Sequence, residues 1–178
     1  KVSNSDGIVH MVENNQIDLG VVESPVSNKN LVIENCRMDH LVAIVSPHHP
    51  LADRKTVTIT DLLQYPFICR EEGSGTREVI ADYMARLDVP ASQISLTMEL
   101  GSPESIKGAV EAGMGVSIIS LATVQKELKL STLVALKLDP GLERPFSFVH
   151  QKQKFRHRAM DELLEFARNY CKSHSEAV

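Results

Sequence analysis

The chain has 178 residues, a formal net charge of −4 at pH 7, 43% hydrophobic residues and few aromatic ones. A chain of this length can form one large domain or two small lobes around a buried aliphatic core. The negative net charge argues against a broad nucleic-acid-binding surface, which needs clustered lysine and arginine. No apolar run reaches the roughly 18 residues of a membrane span.

Short apolar runs alternate with amphipathic stretches along the chain. The runs predict strands at residues 17–22, 41–45, 67–69, 96–100, 116–120, 133–138 and 146–150. The amphipathic stretches predict helices at residues 8–12, 79–87, 103–112, 121–128 and 160–171. Strands that alternate with helices in this way indicate an α/β fold with mainly parallel sheets.

Two proline-containing segments interrupt the pattern and predict two lobes. Residues 47–50 follow one predicted strand, and residues 139–145 precede another. We therefore expect lobe I to comprise residues 1–46 and 146–178, and lobe II to comprise residues 47–145. Two chain crossings between lobes form a cleft and a hinge.

The chain has three cysteines, Cys36, Cys69 and Cys171. They are widely spaced and odd in number, which predicts a reduced, cytoplasmic protein rather than a disulfide framework. We expect all three to be small buried apolar side chains.

The best candidate for binding chemistry is the turn at Gly73, Ser74, Gly75 and Thr76, which follows a predicted strand and opens a helix. Glycines let the backbone approach a ligand, and free amides at a helix start favour an anion. A tight turn with a helix cap explains the same residues equally well. The segment is neither a phosphate-binding P-loop nor a dinucleotide fingerprint, because the required Lys or Gly spacing is missing.

Other polar residues stand at predicted strand ends or helix starts: Ser3 and Asn4, Glu23 and Ser24, and Ser102 and Pro103. Each alone is more often a helix cap than a ligand contact. Ligands gather at the carboxyl ends of parallel strands, so the agreement along the chain favours a binding site.

The sequence offers little for catalysis or metal binding. His48 and His49 lie in a proline-bounded turn without a carboxylate or cysteine at ligand spacing. Glu71 and Glu72 are adjacent and point apart, so we expect them to face solvent or to pair with Arg70 and Arg77. The sequence therefore predicts no enzyme, no cofactor and no metal site.

Four segments resemble the effector domain of LysR-type transcription regulators. They are residues 18–22, 41–52 with their His-Pro-Leu turn, 59–68, and 110–119 with their Gly-Met-Gly-Val turn. The resemblance covers essentially the whole chain, in the family's order.

The resemblance implies a two-lobed domain like a type II periplasmic binding protein, in a bacterial, cytoplasmic regulator. A small effector, an organic acid or inorganic oxyanion, would sit between the lobes and change their closure. The regulator would be a homodimer or homotetramer and would bind promoter DNA through a domain not in this chain. The family's effector contacts carry over to Ser3, Asn4, Glu23, Ser24, Gly73, Ser74, Gly75, Thr76, Ser102 and Pro103.

The chain departs from the family pattern at its beginning. Nothing matches a DNA-binding domain, and the first strand and helix of lobe I are also expected to be absent. Two alternatives share the fold: a solute-binding protein of a transporter, and an enzyme such as a prephenate dehydratase. An upstream helix-turn-helix would favour the regulator, and a signal peptide would favour the transporter protein. Turnover of candidate ligands would favour the enzyme.

Overall fold

The computed structural model describes residues 1–152 and 158–173, in which helices alternate with strands. The helices are α1 (Ser5–Glu13), α2 (Ile59–Leu62), α3 (Gly75–Arg86), α4 (Pro103–Glu111), α5 (Gln125–Leu130) and α6 (Arg158–Ser173). The strands are β1 (Gly20–Val22), β2 (Leu31–Val45), β3 (Thr56–Val57), β4 (Phe67–Arg70), β5 (Leu96–Leu100), β6 (Ser117–Ser120) and β7 (Val134–Gln151). Within the described ranges, no helix is long and apolar enough to cross a membrane.

Two strands are longer than the sequence predicts. The strand expected at residues 41–45 is the end of β2, which begins at Leu31. The expected break at residues 139–145 is wrong, because β7 runs through it. The reason is that side-chain burial still alternates there: Leu142 and Arg144 are buried and the residue between them is exposed. Proline has no amide hydrogen, so a strand tolerates it where the backbone does not need to donate a hydrogen bond to a neighbouring strand.

The chain divides into two compact units. Unit 1 comprises residues 1–38, 73–75 and the described part of 144–178, and unit 2 comprises residues 39–72 and 76–143. Strands β2 and β7 contribute residues to both units. The lobe boundaries expected at residues 46–47 and 145–146 stay a prediction.

Unit 1 is built around α1 and the antiparallel pair of β1 with the end of β7, in which Gly20 faces Val149. Ile8 and Val12 of α1 share a buried cluster with Val149. A Cβ atom on Gly20 would lie only 2.4 Å from Cγ2 of Ile8. Glycine at this position therefore lets the helix pack directly on the strand.

The strand pairs are mixed in direction, so the expectation of mainly parallel sheets is too strong. The β4–β5 and β3–β7 pairs are parallel, and the β1–β7 and β2–β6 pairs are antiparallel. The long strand β2 pairs with β6 in the antiparallel direction, and β7 pairs antiparallel with β1 but parallel with β3. Parallel pairing alone would require a crossover connection between each pair of neighbours.

Unit 2 buries two aliphatic clusters that explain its alternating sequence pattern. One contains Phe67, Ile80 and Ile118, and the other contains Ile68 and Ile106. Because Phe67 and Ile68 are neighbours in β4, their side chains point to opposite faces of the strand and reach different clusters.

The three cysteines do not all behave as predicted. Cys69 is a buried free thiol. Cys36 of β2 and Cys171 of α6 form a disulfide, with Cα atoms 5.9 Å apart. The expectation of three reduced, buried cysteines is therefore wrong for this pair. The two residues are separated by 135 positions, and only the packing of α6 against β2 brings them together.

Candidate effector site

The predicted polar start of α1 is a capped helix terminus. The side-chain Oδ1 of Asn4 accepts a hydrogen bond of 2.9 Å from the amide of Gly7. The amide of Ile8 donates to the carbonyl oxygen of Asn4 at 3.0 Å. Ser3 lies close by, since a Cβ atom on Gly7 would be 2.3 Å from its Oγ. Asn4 thus acts as the N-cap that the sequence suggests, and Ser3 stands beside it.

Gly73 packs against this helix start. Its carbonyl oxygen accepts a hydrogen bond of 3.3 Å from the amide of Asp6. Gly73 has φ of +78°, and a Cβ atom there would lie 3.0 Å from Oδ2 of Asp6 and 3.2 Å from Nδ2 of Asn4. Both the left-handed backbone and the close approach therefore favour glycine.

Gly75, the first residue of α3, packs against α1 and the segment that follows β1. A Cβ atom on it would lie 2.7 Å from Oγ of Ser5, 2.9 Å from the carbonyl carbon of Glu23 and 3.0 Å from Cβ of Ser24. Ser24 and Ser74 are both buried. Unit 1 thus brings together the predicted residues that come from three separate parts of the chain.

An ion pair lies beside this cluster. Nη2 of Arg144 is 2.7 Å from Oε2 of Glu23, and the Arg144 side chain is only 3% exposed. The guanidinium carbon also lies 5.9 Å from the ring centroid of Phe146. A buried guanidinium needs a charged or polar partner, which the Glu23 carboxylate supplies. Sequence reasoning missed Arg144 because it lies in the segment predicted to be a break.

Three predicted site residues belong to unit 2. Ser102 caps α4 by accepting a hydrogen bond of 3.1 Å from the amide of Ser105, and Pro103 is the first residue of that helix. Thr76 is buried in the first turn of α3. Ser102 therefore has the capping role that the sequence left open, and effector contact by these three residues stays a prediction.

Charged residues around the β4–α3 turn pair with one another within unit 2. Arg70 holds the Glu71 carboxylate with two hydrogen bonds, of 2.7 and 2.9 Å. Arg77 donates to the carbonyl oxygen of Arg70 at 3.2 Å and pairs with Glu99, and that hydrogen bond raises the pKa of Arg77. The expected pairing of Arg70 with its acidic neighbour is confirmed.

His49 has a structural role in the turn that contains His48 and His49. Nδ1 of His49 accepts a hydrogen bond of 3.2 Å from the amide of Leu51, and its ring packs edge-on against Tyr65 at 4.4 Å. Partial burial lowers the pKa of His49. Among the residues that the structure describes, no group of three His, Cys, Asp or Glu side chains could hold a metal ion.

Comparison with known families shows which protein family the chain belongs to. Residues 1–172 match the family model described as the LysR substrate binding domain. The chain belongs to this family. The resemblance stated from the sequence is thereby confirmed, as is the α/β fold of the periplasmic-binding-protein type.

The relatives of this LysR-type domain are transcription regulators. The regulator YeiE of Escherichia coli K12 is 36% identical over 93% of the chain and 55% of its own length. The activator CmpR of Synechocystis is 31% identical over 100% of the chain and 57% of its own length. The chain thus spans about half the length of these regulators, and it is an effector-sensing regulatory domain rather than a transporter's solute-binding protein.

A solved structure of a similar domain was obtained with a ligand. The regulatory domain of CcmR from Synechocystis, solved in complex with 2-PG, is 32% identical and superimposes with a TM-score of 0.86. The match covers 97% of this chain and 82% of the CcmR chain. The relatives favour a regulator over the enzyme alternative.

Proposed function

We propose that this chain senses a small anionic metabolite with a phosphate or carboxylate group, as part of a DNA-binding transcription regulator. The observation that carries the proposal is the contact between the first residues of two helices, Ser5 of α1 and Gly75 of α3. Helix N-termini carry partial positive charge and favour anions.

The surroundings of this contact suit an anion that hydrogen-bonds to hydroxyls and backbone. Three serines lie at or beside it, namely Ser5, Ser24 and Ser74, and all are buried. Gly73 and Gly75 have no side chains of their own, and we propose that a ligand oxygen approaches the backbone amides of this turn. A helix N-terminus stabilises an anion by about 0.3–1 kcal/mol. The effector contacts that we propose in unit 1 are Ser3, Asn4, Ser24, Gly73, Ser74 and Gly75. We place Glu23 in the same site as the carboxylate that the ligand displaces from Arg144.

Arg144 supplies a fixed positive charge beside the same cluster. Its guanidinium is paired with Glu23, whose side chain is 40% exposed and can move into solvent. An incoming phosphate or carboxylate would compete with Glu23 for the guanidinium, because Arg binds both groups through two parallel hydrogen bonds. We therefore add Arg144 to the proposed contacts.

The CcmR complex suggests the first ligand to test. CcmR binds 2-PG, 2-phosphoglycolate, which carries both a phosphate and a carboxylate. We infer that this chain recognises a ligand of the same class. Thr76, Ser102 and Pro103 of unit 2 are proposed as its further contacts.

The activity of the whole regulator is also a proposal. We propose that it binds promoter DNA through a domain outside this chain, acts in the cytoplasm as a homodimer or homotetramer, and releases its effector unchanged. The relatives support this view, since all those named above are regulators of transcription.

Calorimetric titration of the chain tests the proposed ligand class. We expect 2-phosphoglycolate to bind, glycolate and inorganic phosphate to bind more weakly, and uncharged ethylene glycol not to bind. Recovery of unchanged 2-phosphoglycolate after incubation separates sensing from turnover. Equal binding of ethylene glycol, or no binding of any anion, would show that the site is not an anion site.

A further inference from the structure

Helix α6 exposes several of its large apolar side chains. It buries Leu164 completely but leaves Leu163, Phe166 and Tyr170 more than half exposed. Phe166 and Tyr170 stack on each other at 6.4 Å between ring centroids. A 16-residue helix that buries so little apolar surface depends on specific contacts to stay docked.

Two such contacts join α6 to one face of β2. Glu34 and Cys36 are alternate residues of the strand, so their side chains lie on the same face. Arg168 of α6 donates to the two carboxylate oxygens of Glu34 through Nε and Nη2, and Cys171 forms the disulfide with Cys36. A partly exposed ion pair contributes little to stability. The disulfide is therefore the strongest fastening of the end of α6.

We propose that Cys36 and Cys171 are a reversible thiol–disulfide pair, and that its redox state controls the docking of α6 on β2. This inference depends on the proposed cytoplasmic location of the regulator. Disulfides in that compartment are usually transient and redox-sensing, because cellular thiols reduce those that can be reached. Cys36 and Cys171 are both half-buried, so a small thiol can reach them, whereas Cys69 is buried.

The exchange needs only a low-molecular-weight thiol such as glutathione. One thiolate attacks a sulfur of the pair, which breaks the protein disulfide, forms a mixed disulfide and releases the other cysteine as a thiolate. A second thiolate then displaces the first cysteine and forms oxidised glutathione. Two glutathione thiols are oxidised, the protein disulfide is reduced, and the two protons pass to the cysteine sulfurs. The reverse reaction closes the pair again.

Reduction would remove the covalent link between α6 and β2 and leave the helix to non-covalent contacts such as those of Leu164 and the Arg168–Glu34 pair. Opening of the helix would then expose Leu164 beside Leu163, and would uncover the face of β2 that carries Glu34 and Cys36. Oxidation would lock the helix in place.

The test is to equilibrate the 178-residue chain in glutathione buffers from fully reduced to fully oxidised. Thiol alkylation followed by peptide mapping should find one free thiol, Cys69, in the oxidised chain and three in the reduced chain. Hydrogen exchange of the α6 amides should be slower in the oxidised chain, by on the order of tenfold. The variants Cys36→Ser and Cys171→Ser should exchange like the reduced chain in every buffer. Cys69→Ala is the matched control and should still respond.

Two results would overturn the inference. One is three free thiols in every buffer, or a disulfide only between two chains. The other is an intramolecular Cys36–Cys171 bond that leaves α6 exchange unchanged. Titration with 2-phosphoglycolate is measured separately on the same samples. Failure of the redox response leaves anion binding intact, whereas failure of the proposed sensing function leaves the thiol counts intact.

Discussion

Gly75 packs against Ser5 so closely that a Cβ atom on Gly75 would lie 2.7 Å from the Oγ of Ser5. The two residues are 70 positions apart and each begins a helix. Any residue larger than glycine at position 75 would require Ser5, Glu23 or Ser24 to shift. The contact fixes where the two helix starts meet, and the proposed anion site depends on it.

Gly75→Ala should therefore lower both stability and anion binding. The added methyl group must displace Ser5 or Glu23, and overpacking of this kind costs about 1–3 kcal/mol. Urea unfolding measures the loss of stability, and titration with 2-phosphoglycolate measures the loss of affinity.

Gly108→Ala provides the matched control for that substitution. Gly108 lies within α4, and a Cβ atom there would meet nothing within 4 Å. Alanine should raise stability by up to about 1 kcal/mol, because glycine is a poor helix former. Normal stability and normal affinity in Gly75→Ala would refute the close contact.

The sequence predicts local features of this site better than long-range ones. Asn4 and Ser102 stand at helix starts in the sequence, and both cap helices in the structure. Their signal is local, because a cap lies next to the helix that it serves. Gly73 and Gly75 are recognisable for the same reason, as glycines between a strand and a helix.

The features that sequence reasoning missed depend on distant partners. Arg144 lies in a segment with two prolines and a glycine, and its pairing with the distant Glu23 is invisible in the sequence. The disulfide between Cys36 and Cys171 has no local signature either. Both need the packing of segments more than 100 residues apart, which hydrophobic periodicity does not encode.

Thr76→Val should weaken effector binding in the complete regulator. The substitution keeps the shape of the side chain and removes its hydroxyl donor. Loss of one hydrogen bond of about 0.5–1.5 kcal/mol predicts a roughly two- to tenfold weaker affinity for 2-phosphoglycolate. Thr97→Val, at an exposed position of β5, is the control and should bind normally. Unchanged affinity in Thr76→Val would remove this residue from the proposed contacts.

Lys107 should be essential for the stability of unit 2. Its ammonium group is buried, donates to the carbonyl oxygen of Thr123 at 3.0 Å and pairs with Glu127 at 2.9 Å. Lys107→Met removes the ion-pair partner of the Glu127 carboxylate, which costs about 3–5 kcal/mol for a buried pair. Denaturant unfolding measures this loss. In the double variant Lys107→Met/Glu127→Leu, most of the stability should return, and no recovery would mean that the pair is not coupled.

The same pair predicts a pH dependence of stability. The hydrogen bond from Lys107 lowers the pKa of Glu127 below its ordinary value of 4.5. The ionised carboxylate therefore stabilises the folded state above pH 4.5, and this contribution is lost as the pH falls through the lowered folded-state pKa. Between pH 7 and pH 3, the free energy of unfolding should fall less steeply with pH in Glu127→Gln than in the native chain. Parallel pH profiles would assign the acid sensitivity to other carboxylates.

Arg144→Gln should reduce anion binding more than any substitution of a neutral residue in the cluster. The buried guanidinium is a fixed positive charge paired with Glu23. A charge-assisted hydrogen bond is worth about 1.5–3 kcal/mol, or roughly ten- to a hundredfold in affinity. Arg144→Lys should bind with intermediate affinity, because lysine keeps the positive charge but cannot form the bidentate hydrogen bonds of arginine.

Glu23→Gln should have the opposite effect on affinity to Arg144→Gln. The substitution removes the carboxylate that competes with the ligand for Arg144, so 2-phosphoglycolate should bind more tightly to Glu23→Gln than to the native chain. Arg54→Gln controls for the change in net charge, because it removes an exposed arginine that is paired with Asp61. Salt screens exposed charges, so this substitution should change the affinity for 2-phosphoglycolate only slightly. Circular dichroism checks that each variant is folded. If Arg144→Gln is folded and binds 2-phosphoglycolate as tightly as Arg54→Gln does, Arg144 does not touch the anion, and its pairing with Glu23 serves only the packing of unit 1.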